Sequence, residues 1–252
     1  MTSAVPWILA YCLAFLAGSF PTGLIIGRMH GIDIRAHGSG NIGATNVGRV
    51  LGAKAWLQCF SVDLLKGLLP TLAVGWWANI LGQWVIPPAD AALWLGAMLM
   101  PILGHMFCPW LKFKGGKGVA AGLGAILAVF PTLSCAGGLA LVVFLVALAR
   151  WRYVSLGSML AGLTLPLAVV GQFSMLWLLR DRLFPPPGDF LLTTALVYFG
   201  VTVAVAALVI VKHRANIARL RSGTEPKVGQ KKPILNTAAP VPSRPAAGER
   251  ST

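Results

Sequence analysis

Residues 118–149 read GVAAGLGAILAVFPTLSCAGGLALVVFLVALA, thirty-two positions without one charged side chain. As unbroken helix at 1.5 Å per residue the run would measure roughly 48 Å. One crossing of a bilayer needs about 20 apolar residues, in a range of about 17–25. The run is therefore long for one span and short for two. Pro131 lies inside it, and proline removes a backbone donor and kinks or breaks a helix. Whether this stretch crosses once or twice sets the sidedness of everything after it.

The flanking sequence places it in an integral membrane protein. Of 252 residues 56% are hydrophobic and only 11% charged, against roughly 25% charged in a soluble domain. Too few ionic groups are present to cover a water-exposed globule, which excludes a soluble enzyme, a coiled coil and a disulfide-stapled module. Further apolar runs suited to spanning occupy 5–27, 55–78, 91–108, 154–179 and 190–211. No Lys or Arg precedes the first run, so it lacks the basic start of a cleaved signal peptide and reads as a retained helix. The four cysteines, Cys12, Cys59, Cys108 and Cys135, are scattered without a CxxC pair, which gives no sign of a zinc site or a disulfide framework.

Basic residues decide the topology, because they gather on the cytoplasmic side. Segment 28–54 carries Arg28, Arg35, Arg49 and Lys54; segment 109–117 carries Lys112, Lys114 and Lys117; Arg150 and Arg152 follow the long run. The tail from Lys212 to Lys232 holds seven more, whereas 79–92 holds none. Two crossings in 118–149, a short helix to about Phe130 and a second from about Thr132, put all four basic segments on one face. The expected fold is an all-α polytopic membrane bundle of seven transmembrane helices, with its N-terminus outside and its C-terminus inside. Residues 1–228 form the membrane domain. Residues 229–252, rich in Pro, Ala, Lys and Ser, are expected to be a disordered cytoplasmic tail.

Polar residues concentrate on the inner segments in three clusters. In GSGNIGATNVGR (38–49), four glycines let successive amides turn toward one point, an arrangement that receives anions. Ser39, Asn41, Thr45 and Asn46 add neutral donors, and Arg49 adds a planar fork suited to phosphate. Gly38, Gly40 and Gly43 would equally suit a flexible loop, but no carboxylate lies between Gly38 and Arg49. In KFKGGKG (112–118) a Gly115-Gly116-Lys117 sequence enters an apolar helix, combining free amides, a positive dipole end and an ammonium. It lacks the GxxxxGK[ST] spacing of nucleotide loops. A basic membrane anchor explains Lys112 and Lys114 but not the glycine pair. In the third cluster, His213 and Asn216 stand three apart on one helix face at the inner mouth of the last span, with Glu225 beyond. Ser155 and Ser158 open the sixth span, where serines usually bond to their own backbone. Asp63 and Lys66 lie three apart inside the second span; charges there mark functional sites by default, although a mutual ion pair is the simpler reading.

Two anion-receptive loops on one side of the bundle point to phosphate-bearing ligands. Other catalytic inventories are missing. No HxxxxD pair or GxSxG elbow occurs, and two Glu and five Asp, widely spread, offer no metal cluster. No metal or other cofactor is expected.

The strings GSGNIGATNVGR (38–49), DLLKG (63–67), GHMFCPWLKFKGGKG (104–118), YVSLGS (153–158) and HRANIARLRSGTE (213–225) follow one another in this order. Together they resemble the bacterial acyl-phosphate:glycerol-3-phosphate acyltransferase family, the PlsY type. The resemblance implies that a fatty acyl phosphate acylates the 1-hydroxyl of sn-glycerol 3-phosphate, giving 1-acyl-glycerol 3-phosphate (lysophosphatidate) and phosphate, the first step of phospholipid synthesis. It implies catalytic roles for Ser39, Arg49, Lys117 and His213. Gly38, Gly40, Asn41, Gly43, Thr45, Asn46, Gly115, Gly116, Ser155 and Asn216 would bind substrate, and Glu225 is structural, as are Asp63 and Lys66. His105 falls in a matched string without an assigned role. Location in the bacterial inner membrane, a cytoplasm-facing site and a monomer are expected. The rival from another class is a transporter of phosphate or phosphate esters, which would place binding groups near the midplane in both halves of the chain; here nearly all fall on one side. Nucleic acid is not an expected partner, because the basic loops carry few aromatics to stack on bases. Segment 180–189 and the extended tail depart from the family pattern without interrupting a matched string.

Overall fold

The structure, a computed structural model, describes the backbone of residues 4–183 and 190–230 and the side chains of all of these except 180–183. The long segment at 180–189 and the tail beyond 230 thus fall, in whole or in part, outside the described residues. Among these residues there is no strand. Ten α-helices follow one another: α1 (Ala4–Gly18), α2 (Thr22–Met29), α3 (Ala44–Leu51), α4 (Ala53–Trp77), α5 (Pro88–Met106), α6 (Val119–Ala128), α7 (Thr132–Trp151), α8 (Val154–Leu183), α9 (Leu191–Lys212) and α10 (Arg214–Arg221).

Six stretches are long and apolar enough to cross a membrane: Ala4–Met29, Ala53–Trp77, Pro88–Leu111, Thr132–Trp151, Val154–Leu179 and Leu191–Lys212. The long run at 118–149 divides where its proline stands, α6 ending at Ala128 and α7 starting at Thr132. With 10 residues, α6 is only about 15 Å long. The first span differs from expectation. It is two helices, α1 and α2, parted at Ser19–Pro21, because Pro21 cannot donate to the turn before it. The twelve-residue glycine-rich segment differs too. Its second half is helix α3, so Thr45, Asn46 and Arg49 project from a helix and not from a loop.

Small residues set how closely the helices approach, as is usual between helices in lipid. A Cβ on Gly67 of α4 would overlap the Ala121 carbonyl of α6, and one on Gly124 of α6 would overlap the Leu64 carbonyl of α4. Gly18 and Gly104 play the same part where α1 crosses α5, against Pro101 and Phe15. Inside the bundle, Trp94, Met98, Ile102, Leu133 and Tyr198 are all nearly inaccessible, and the Trp94 indole N–H donates to the Thr71 carbonyl at 3.0 Å. Leu13, Val146, Leu167 and Leu196 stay more than half exposed. An apolar exterior over an apolar core is the surface a lipid solvent permits.

Candidate active site

The first loop is folded around one amide side chain. Gly38 and Gly40 take φ of 64° and 70°, a left-handed conformation that L side chains resist. Their turn brings the Ser39 amide N–H onto Asn46 Oδ1 at 2.8 Å. The other end of the Asn46 amide donates to His37 O at 3.1 Å and Ile34 O at 3.3 Å. Asn46, expected to line the substrate pocket, is therefore a buried brace whose polar atoms are all committed to the loop backbone. Asn41 Oδ1 accepts from the Gly43 N–H at 2.9 Å, closing a second small turn before α3 begins. The side chains of Ser39, Thr45 and Arg49 remain exposed. Asn46 and Arg49 stand three apart on α3, so the residue that braces the loop also fixes the base of the arginine.

The second loop is built on the end of α5. The Gly116 N–H donates to His105 O at 3.0 Å. A Cβ on Gly115 would overlap that carbonyl, and one on Gly116 would overlap His105 Nε2. Both glycines are thus needed for close approach to a single residue, the reason for the pair that a basic anchor did not supply. Gly118, at φ 76°, turns the chain into α6. Lys117, half-buried, reaches across to Asn216 Oδ1 at 2.6 Å.

The third element is the junction of α9 and α10. His213, 2% exposed, holds its Nδ1 2.7 Å from the Val209 carbonyl. A carbonyl only accepts, so Nδ1 carries the proton and the neutral ring leaves Nε2 as an acceptor. Asn216 Nδ2 donates to Glu225 Oε1 at 2.6 Å, as does the Ser155 hydroxyl at 2.6 Å. Arg219 Nε holds Glu225 Oε2 at 2.7 Å. Ser158, by contrast, bonds back to Val154 O in its own helix. Glu225 is delivered by a strap: the Val228 N–H donates to Arg152 O at 2.8 Å, and the Arg152 guanidinium donates back to Val228 O at 2.6 Å.

Lys117, Asn216, Glu225, Ser155 and Arg219 thus form one connected network, and Arg49 and His213 lie within its field. Among the described residues no hydrogen bond ties Ser39, Asn41 or Thr45 to it. Burial drives the Lys117 ammonium down to about 8, with Arg219 and Arg49 adding to the effect and Glu225 opposing it. His213 is lowered to about 4, first by burial and then by Lys117. Burial works to raise Glu225, but its bonds from Ser155, Asn216 and Arg219 carry it below the ordinary range. Arg49 is also lowered by loss of solvent around its guanidinium. Three cations around one carboxylate leave positive charge over, which a phosphate would neutralise. Sequence reasoning missed Arg219 and the Arg152–Val228 strap; their only signal is that Arg219 lies inside the last matched string and Arg152 just before YVSLGS.

A second polar group lies deeper. Asp63, 1% exposed, accepts from Lys66 Nζ at 2.7 Å and from Thr22 Oγ1 at 2.8 Å. Lys66 also donates to Phe20 O at 2.7 Å, at the turn where α1 and α2 part.

The family model for glycerol-3-phosphate acyltransferases matches residues 8–223. The chain belongs to this family. A glycerol-3-phosphate acyltransferase of Trichlorobacter lovleyi is 42% identical over 228 residues, covering 90% of this chain and 98% of the relative. That of Geobacter sulfurreducens is 45% identical over 213 residues, covering 84% and 93%. The fold is similar to the crystal structure of PlsY (YgiH), an integral membrane glycerol 3-phosphate acyltransferase, in its glycerol 3-phosphate form. The TM-score is 0.66 at 32% identity, with 89% of this chain and 96% of that one covered. The lysophosphatidic acid form gives 0.65 at 31%. This chain is accordingly an integral membrane acyltransferase of the family that its ordered strings resemble.

Proposed function

We propose that the chain transfers the acyl group of a fatty acyl phosphate to the 1-hydroxyl of sn-glycerol 3-phosphate, giving lysophosphatidate and inorganic phosphate. The observation that carries this is the network of Lys117, Asn216, Glu225, Ser155 and Arg219, with Arg49 and neutral His213 beside it. It has cations and donors in excess. Its one hydroxyl–carboxylate pair, Ser155 with Glu225, is a weak nucleophile–base couple, because Asn216 and Arg219 also bond that carboxylate and hold it below the ordinary range. An acyl phosphate is already an activated anhydride, so no enzyme nucleophile is needed. The acceptor hydroxyl oxygen attacks the acyl carbon, the bond from that carbon to the phosphate oxygen breaks, and the hydroxyl proton passes to the departing phosphate. The protein's work is positioning and electrostatics.

The proposed roles are these. Lys117, with the backbone of Gly115 and Gly116, holds the donor phosphate and offsets its charge as it leaves. Arg49 and Ser39, with Gly38, Gly40, Asn41, Gly43 and Thr45 around them, receive phosphate and orient the acceptor. His213 Nε2, free to accept, takes the hydrogen bond of a glycerol hydroxyl, and Asn216 and Ser155 complete the pocket. Glu225 holds Asn216, Ser155 and Arg219 in register.

Charge parity supports seven crossings, α6 with its flanks making the fourth, and the N-terminus outside. The network then faces the cytoplasm from the inner membrane, where both reactants are available. The membrane domain, residues 1–228, acts as a monomer, with the tail after it.

Purified protein in detergent, given glycerol 3-phosphate and either a fatty acyl phosphate or the matching thioester, tests the reaction. Lysophosphatidate and one phosphate per turnover are expected from the acyl phosphate alone. Turnover on the thioester and none on the acyl phosphate would overturn the proposal.

A further inference from the structure

His105 lies outside the network yet is 4% exposed, and its Nδ1 is a buried polar atom without a hydrogen-bond partner. Such atoms are rare and costly. The ring is wedged between two things of consequence. On one side Nδ1 faces Asp63 Oδ1 at 3.8 Å, beyond hydrogen-bond length. On the other, Nε2 lies against the Cα of Gly116, and the His105 carbonyl receives the Gly116 N–H. Lys117 is the next residue. Asp63 is itself fixed from three directions, by Thr22, by Lys66 and by the Cys59 thiol at 3.7 Å. Cys59 also lies 3.9 Å from the carbonyl of Ile42 in the first loop.

We infer that His105 is a positioning residue for acyl transfer: anchored toward Asp63 through Nδ1–H, its ring sets the Gly115–Gly116 turn and so the placement of Lys117 against the donor phosphate. This rests on the reading above that the Gly115–Lys117 loop receives that phosphate. The carboxylate is an acceptor only, so the neutral imidazole facing it keeps its proton on Nδ1 and presents its unprotonated edge to the glycine loop. Hydrogen bonds in a catalytic apparatus are often long before substrate engages and tighten with it. Closing the 3.8 Å separation would satisfy Nδ1 and draw the ring, with the loop packed on it, toward α4. A histidine that merely filled space would not need its protonated nitrogen turned to the one carboxylate in reach.

The test compares His105→Ala, which removes the ring, with His105→Asn, whose amide N–H can stand where Nδ1–H stood, and with Lys117→Ala. Full-length purified proteins are assayed for KM of acyl phosphate, KM of glycerol 3-phosphate, kcat, and inhibition by inorganic phosphate as a probe of the loop. His105→Ala is expected to raise donor KM and the phosphate inhibition constant at least tenfold, with acceptor KM changed less than threefold. His105→Asn is expected to recover a large part of that loss. Unchanged donor KM and phosphate inhibition in folded His105→Ala protein, or a folded His105→Asn protein as impaired as one lacking the ring, would overturn the inference. If Lys117→Ala also leaves both constants unchanged, the loop does not bind donor phosphate and the underlying reading fails instead.

Discussion

Two charged clusters among the described residues are built to opposite specifications. The Asp63–Lys66 pair is balanced: one acid and one base 2.7 Å apart, each with a further partner, the Thr22 hydroxyl on Asp63 and the Phe20 carbonyl on Lys66. The network around Glu225 is left open, with Lys117, Arg219 and Arg49 outnumbering its single carboxylate and His213 Nε2 uncommitted. Both sit where hydrophobic residues would cost less. Balanced charge braces helices; surplus charge is what our proposal assigns to holding an anion.

If that contrast is right, the two groups fail differently. Lys117→Ala removes a cation from the open network, and kcat/KM for acyl phosphate is expected to fall about 10²–10³-fold, with thermal unfolding in detergent little changed. Lys66→Met does the reverse. It strands a buried carboxylate, and unfolding measurements should show a loss of about 3–5 kcal/mol; the paired Asp63→Asn, Lys66→Met protein should recover much of it. A Lys66→Met protein of normal stability would erase the distinction.

The pH dependence sharpens it. Lys117 near 8 must be protonated to hold phosphate, so kcat/KM is expected to fall tenfold per unit as pH rises above about 8. In Lys117→Arg that limb should vanish from the accessible range, since arginine stays charged. His213 near 4 is neutral at every ordinary working pH. Between pH 5 and 7 it should therefore impose no acid limb of its own, and His213→Ala is expected to raise acceptor KM at least as much as it lowers kcat. A single-turnover collapse at saturating acceptor would make His213 the base. The smallest effect belongs to the strap. Arg152→Ala removes exposed bonds to Val228 and should cost no more than about 1 kcal/mol, with kcat/KM down less than threefold.

What the sequence discloses and what it conceals divide along a physical line. Helices in lipid follow from runs of apolar residues, so α4 through α9 lie within a few positions of their hydropathy, and the division at Pro131 follows from a missing amide hydrogen. The part at Ser19–Pro21 rests on the same chemistry, but the apolar run at 5–27 continues through it and reads as one helix. Helix α3 was not legible either, because Gly48 within it argues against it locally; it forms because that same glycine lets the helix lie directly on Trp56 of α4. The site residues were marked by composition, yet their grouping depends on contacts across long separations. Lys117 meets Asn216 ninety-nine residues away, and Ser155 meets Glu225 seventy away. No local pattern encodes such pairs. The same limit hid Asn46 as a brace and His105 as the support beneath the glycine pair.

Equilibrium binding of radiolabelled glycerol 3-phosphate to purified protein bears most directly on the claim that the open cationic network is where substrate phosphate is held. Wild-type protein should bind one equivalent, and Arg49→Ala should bind at least tenfold more weakly while unfolding at the same temperature. Undiminished affinity in folded Arg49→Ala protein would contradict it.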